Sequence, residues 1–470
     1  MTIANIGKAA AVVALAAICR SAAFAQGGVT LEMLSRIQAT QAGGNANKAI
    51  SNAIANVSID QLANTRRTKG ADDGHWAVET PKQSIHDQQS SGRCWMFSGF
   101  NVLRSDFSHN HGDSLKVEFS HAYLFFWDQF EKANLMLQAM IDKADKSMED
   151  PVVRFFFRNP LNDGGTFCGV ADLAAKYGLV PMDVQPETYS SDNTARMNRL
   201  ISSKLREYGL ELRRMAASRK KAKQLEARKE EMLATVYHML SLTLGEPVKE
   251  FKYAFRNAKG DVAVAEKTYT PKSFYDFTVG KDLNGTFIMV MNDPRREFHK
   301  TYEVEYDRHT YDGHNWKYLN LPAEEIAQLA INQLKAGRKI YSSYDVGKQS
   351  DRKNGYADLG IYDYATLFNT DFPMNKADRI ATFDSGSTHA MTLTAVDLDA
   401  DGKPLKWKVE NSWGTASGAN GCLIMSNDWW NEYMFRLVVD KEYVPQTLLD
   451  EFAQKPTMVT QDDPLFDFDN

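Results

Sequence analysis

The chain has 470 residues, of which 43% are hydrophobic, 24% charged and 11% aromatic; this ordinary globular composition excludes collagen-like, low-complexity and disordered classes. Fifty-five Lys and Arg against 60 Asp and Glu leave a net charge of −5, which offers no global attraction for nucleic acid or an anionic membrane. Four cysteines are too few for a disulfide scaffold, and a chain this long buries a large core without one.

The first 25 residues differ from the rest. Lys8 precedes the apolar run Ala9 to Cys19, and Ala23-Phe24-Ala25 has the small-x-small form of a signal-peptidase site. This pattern predicts a signal peptide over residues 1–25, cleaved after Ala25, and an exported protein, periplasmic or secreted. Eleven apolar residues cannot cross a hydrocarbon layer of about 30 Å as a permanent helix. The mature chain keeps Cys94, Cys168 and Cys422, an odd number, so at least one stays outside any disulfide. Residues 26–75 are polar and rich in small residues, which predicts an arm with a short helix.

From Cys94, the apolar residues Met96, Phe100, Leu103 and Phe107 recur at helical spacing, so Cys94 opens a buried helix entered through Ser90-Ser91-Gly92. Residues 196–231 hold 12 Lys and Arg against 5 Asp and Glu. Leu200, Leu205, Leu210, Met215, Leu225 and Met232 there predict an amphipathic helix or helix pair with a solvated basic face. The alternative use of that face is a surface for nucleic acid or a partner. Near the end, Ala390 to Val396 and Pro404 to Trp413 alternate like strands around the turn Asp397–Gly402, a hairpin. Asp397, Asp399 and Asp401 imitate the opening of a calcium loop, but its twelfth position is Lys408, where a bidentate Glu is required.

The segment Gln88-Gln89-Ser90-Ser91-Gly92-Arg93-Cys94-Trp95 carries the chemistry. A thiol at a helix N-terminus faces the positive end of the dipole, which favours the nucleophilic thiolate. Gln88, six residues upstream, supplies a side-chain amide for the oxyanion formed when that thiolate attacks a carbonyl. His389 begins the hairpin's first strand as the candidate proton carrier, and Asn411 ends the second strand where it can orient the imidazole. His109, His111, His309 and His314 lack the Cys or carboxylate cluster a metal needs, so neither metal nor cofactor is expected.

This Cys–His–Asn order, with Ser91-Gly-Arg-Cys94-Trp95 and Glu410-Asn-Ser-Trp-Gly414, resembles the papain-like cysteine peptidases. Ser91 stands where papain relatives have a disulfide cysteine. His389 follows Cys94 by 295 positions, about 150 more than the usual papain-type spacing. With Asp345-Val-Gly-Lys348 and Ser387-Thr-His-Ala-Met391, the sequence resembles the bleomycin hydrolase/aminopeptidase C family from about Ala71 onward. The resemblance implies an α+β, two-lobed papain-like fold over residues 76–470, with a helical insertion at about 195–275. It implies a cysteine aminopeptidase that hydrolyses peptides through a thioester, assembled as a homo-hexamer around an internal chamber. It also implies a C-terminal tail, about 450–470, that reaches the cleft and sets the carboxylate of Asn470 against the substrate's α-amino group. Asn162-Asp-Gly164-Gly165 resembles the glycine pair that hydrogen-bonds an extended substrate, glycine permitting its close approach. An endopeptidase of the same fold, a transglutaminase-type acyl transferase and a nucleic-acid-binding or scaffold module are the alternatives.

Overall fold

The computed structural model describes residues 27–40, 45–65, 73–257 and 259–466. Residues 1–25 and Asn470, to which the signal peptide and tail-carboxylate expectations attach, lie outside the described residues. The chain divides into two units, one ending at Asn64 and one beginning at Thr65. The first carries three helices, Leu31–Thr40, Asn45–Ile54 and Ile59–Ala63, where the sequence predicted one. Ser58 caps the last of these by accepting from the Gln61 amide.

The second unit is built on the helix Cys94–Asn110, which is buried along almost its whole length. Trp95, Met96, Phe100, Leu103 and Phe107 pack into one hydrophobic cluster with the helices His121–Asp142 and Phe167–Tyr177. A helix enclosed on all sides must satisfy its polar residues internally. Asn101 donates to Thr392 Oγ1 at 3.2 Å, and Arg104 reaches Glu118 and Glu410. The basic segment forms two helices, Thr194–Ala217 and Ala222–Leu244, that pack on His121–Asp142. The buried stripe of the first is Met197, Ile201, Leu205, Tyr208 and Leu212, whereas Leu200 and Leu210 are exposed. The expected stripe fails there because a five-residue step turns about 140° around a helix, while steps of three and four stay on one face.

The second lobe is a twelve-stranded, largely antiparallel sheet. Its central strands are Met434–Asp440, Ile340–Tyr344, His389–Leu398 and Pro404–Glu410, adjacent in that order. His389–Leu398 is buried on both faces, with the helix Cys94–Asn110 against one part and Ala323–Lys335 against another. It pairs with Pro404–Glu410 in the predicted hairpin, Thr392 opposite Glu410 and Val396 opposite Trp407. In the turn, Asp399 Oδ1 accepts from the Asp401 and Lys403 amides, as turn aspartates do. Among the described residues no helix is long and apolar enough to cross a membrane.

Candidate active site

Cys94 is the first residue of its helix, and Arg93 before it provides no side-chain cap. The N–H groups of the first turn therefore leave their partial positive charge at the sulfur. Two elements meet at that atom. The Ala390 amide, on the neighbouring lobe's strand, donates to Cys94 Sγ at 3.5 Å. This contact places the thiol beside His389, and both line one cleft of about 240 Å³ with Gln88, Gly164, Gly165 and Arg436.

His389 is buried, and its Nε2 lies 2.8 Å from Asn411 Oδ1. Asn411 Oδ1 also accepts from the Ser412 amide at 2.8 Å, which fixes it as the acceptor end of the carboxamide. Nε2 thus carries hydrogen, and Nδ1 is the nitrogen left to exchange a proton. Trp413 stacks on the imidazole, with ring centres 4.7 Å apart and planes 25° from parallel. Burial lowers the imidazole to about 4; the Asn411 bond opposes the shift and Arg352 adds to it. An imidazole so placed stays neutral at pH 7 unless a negative charge stands beside it. A thiolate at Cys94 would be that charge.

Gln88 comes from the nucleophile's stretch of sequence but is held by the other lobe. Its main-chain N–H donates to Ser412 O at 2.8 Å, and the Ser412 hydroxyl donates to Gln88 Oε1 at 2.5 Å. Oε1 is thereby assigned as acceptor, and Nε2 donates one hydrogen to Ser91 O at 2.5 Å. The second Nε2 hydrogen remains for an oxyanion.

The glycine loop forms the opposite wall. Asp163 ties it to the nucleophile loop: Oδ2 accepts from the Gly92 amide at 2.7 Å and from the Thr194 hydroxyl, and the Asp163 carbonyl accepts from Trp95 Nε1 at 2.9 Å. Gly165 differs from the expectation for a substrate-facing glycine. A Cβ there would lie 2.1 Å from His309 Cε1 and 2.9 Å from Trp95 Cε2. The space a side chain would need is filled by the protein's own rings, so packing alone demands this glycine.

A family model described as the peptidase C1-like family matches residues 28–466. The chain belongs to this family. Its relatives include aminopeptidase C from Lactobacillus delbrueckii subsp. lactis, 37% identical over 429 residues, covering 89% of this chain and 94% of that one. Bleomycin hydrolase from Gallus gallus is 36% identical over 404 residues, covering 83% of this chain and 87% of that one. The crystal structure of PepW from Lactobacillus rhamnosis superimposes with a TM-score of 0.88 at 35% identity, over 93% of this chain and 99% of that one. The papain-like α+β fold follows.

Several residues of this peptidase C1-like site had no sequence signal for their role. Ser412 and Asp163 fall inside the sequence motifs, but nothing in the sequence ties Ser412 to Gln88 or Asp163 to the Gly92 amide. Arg436 lines the cleft with its guanidinium over Trp316 and Phe466, at 5.1 and 5.4 Å. His309 and His314, weighed as metal ligands, each meet a carboxylate instead, Asp128 at 2.5 Å and Asp172 at 2.7 Å. Cys168 is buried against Thr166 Oγ1, and burial pushes its thiol well up. Of the residues expected at the site, Cys94, His389, Asn411, Gln88, Gly164 and Gly165 come together.

Proposed function

We propose that the protein is a cysteine aminopeptidase that removes N-terminal residues from peptides through a thioester acyl-enzyme. The observation that carries this reading is the junction at Cys94 Sγ: the Ala390 amide at 3.5 Å, next to an imidazole held at Nε2 by Asn411. The Cys94 thiolate attacks the carbonyl carbon of the first peptide bond. The oxyanion accepts hydrogen bonds from Gln88 Nε2 and the Cys94 amide. His389 gives the Nδ1 proton to the departing amine, leaving Cys94 acylated as a thioester. His389 then takes a proton from water, hydroxide adds to the thioester carbonyl, and the thiolate leaves with the free amino acid as product.

Relatives named aminopeptidase C, aminopeptidase G and aminopeptidase W support removal of single N-terminal residues. Gln461 and Phe466 line a cavity that also contains Gly164 and Gly165. That position supports a tail which continues into the cleft and blocks longer chains. The hexamer is supported by Leu200, Leu210 and Leu242, exposed on the two insertion helices, as an assembly surface would be. Export is supported by the leader, Lys8 followed by the apolar run and Ala23-Phe24-Ala25.

Free and N-acetylated peptides, incubated with the full chain and with one ended after Thr460, test the reading by mass spectrometry. The full chain should trim free peptides one residue at a time and leave acetylated ones intact, and the shortened chain should cut both. Cleavage of acetylated peptides by the full chain would make it an endopeptidase. Amide cross-linking without hydrolysis would make it a transglutaminase-type enzyme. Cys94→Ser should fold and lose all activity. Sedimentation tests the assembly, and N-terminal sequencing of exported protein tests cleavage after Ala25.

A further inference from the structure

Behind the glycine loop, three ionisable side chains, two buried and one half-buried, are joined in a line. Asp128 and Lys132, one turn apart on the helix His121–Asp142, pair at 3.1 Å, and Asp128 Oδ1 meets His309 Nδ1 at 2.5 Å. Asp128 is fully enclosed, His309 nearly so, and Lys132 largely covered. Burying three such groups is costly unless each makes a specific bond. Each of the two outer groups bonds the loop's main chain. Lys132 Nζ donates to Gly164 O at 2.6 Å and to Asn162 O at 3.2 Å. His309 Nε2 accepts from the Thr166 amide at 3.3 Å, so its hydrogen is on Nδ1, directed at Asp128. Its ring occupies the space beside Gly165, tilted 52° against the Trp95 ring at 4.5 Å between centres, Trp95 being the residue after the nucleophile.

We infer that Lys132, Asp128 and His309 are positioning residues that set the glycine loop at its working distance from Cys94. The lysine holds the carbonyls before Gly165, the histidine holds the amide after it, and the aspartate locks the two together. The Gly165 peptide, which lines the cleft with Cys94, is then presented to the substrate at a fixed height. The inference rests on the proposed role of Gly164 and Gly165 as substrate-binding backbone.

The test compares two alkylating agents on the whole protein. Chloroacetone reads the thiolate alone, whereas phenylalanyl chloromethyl ketone, with its free amino group, also needs the glycine loop. The quantity is the ratio of their second-order rates, which a loss of correctly folded protein does not move. In wild type the ratio should be large. Lys132→Met and Asp128→Asn should each lower it about tenfold or more, because small misplacements of a binding group are costly. Should Asp128→Asn fail to fold, His309→Gln takes its place. A large wild-type ratio that both variants retain, or that only one loses, overturns the positioning unit and leaves the glycine loop's role standing. A wild-type ratio near one overturns that role, and the inference with it.

Discussion

Replacing Asn411 with alanine removes the acceptor 2.8 Å from His389 Nε2. Trp413 stacks on that imidazole and keeps water from taking the acceptor's place. A buried N–H left without a partner costs about 1–3 kcal/mol, and the donor is charged in the working ion pair, so the upper half of that range applies. At about 1.4 kcal/mol per tenfold, kcat/KM should fall roughly 30- to 150-fold. The Asn411 bond holds the imidazole's pKa up against burial. Without it the imidazolium gives up its proton at lower pH and the thiolate loses its counter-charge, so the pH–rate profile should narrow from both sides. Hydrolysis of an aminoacyl p-nitroanilide across pH measures both effects, and Asn411→Asp, which keeps an acceptor, should recover part of the rate. An alanine variant within twofold of wild type, with an unmoved profile, would refute the orienting role.

Glu410 is buried between Arg104 and Lys339, at 2.6 Å from each. Glu410→Gln leaves the buried Lys339 without its carboxylate, while Arg104 keeps Glu118, and should cost about 3–5 kcal/mol, measured by urea unfolding; a loss below 1 kcal/mol would show the network to be dispensable. Gly165→Ala drives a Cβ into His309 and Trp95; overpacking of this kind costs about 1–3 kcal/mol, so the melting temperature and activity should fall together. Burial holds His86, His121 and His309 below the ordinary imidazole value. Each binds a proton more readily when unfolded, so stability should drop as pH falls from about 6.5 towards 4, by at most ~1.4 kcal/mol per pH unit for each group. Urea midpoints at pH 7 and 5 check this, and His121→Phe should make the slope shallower; a midpoint that rises towards pH 5 would contradict it.

The reacting groups were legible because their chemistry demands particular residue types at chain positions with strong local signals. Cys94 follows a glycine-bearing loop and opens an apolar helical pattern, and His389 and Asn411 sit at the ends of alternating segments around a turn. The supporting groups were not legible, since a single hydrogen bond across the fold leaves no periodic trace. Asp128 and Lys132 look like an ordinary surface pair four apart on a helix, yet Asp128 is buried and Lys132 largely covered, with its ammonium on the glycine loop's carbonyls. Gly165 was correctly placed at the cleft, but what occupies the missing side chain's space, His309, comes from a distant loop. In the insertion, total apolar content predicted helices correctly while spacing misassigned Leu200 and Leu210, because only packing partners decide which face is covered.

The Gln88–Ser412 pair has a wider consequence. Residues 86–88 run alongside 412–414, with the Gly414 amide on His86 O and the Gln88 amide on Ser412 O, while Ser91 ties Gln88 to the loop that leads to the sulfur, so the carboxamide is moored on both sides of the cleft. Any hinge that parted the halves would take the imidazole from the thiol and break one of the carboxamide's two moorings in the same movement. An ajar molecule would hold an idle sulfhydryl.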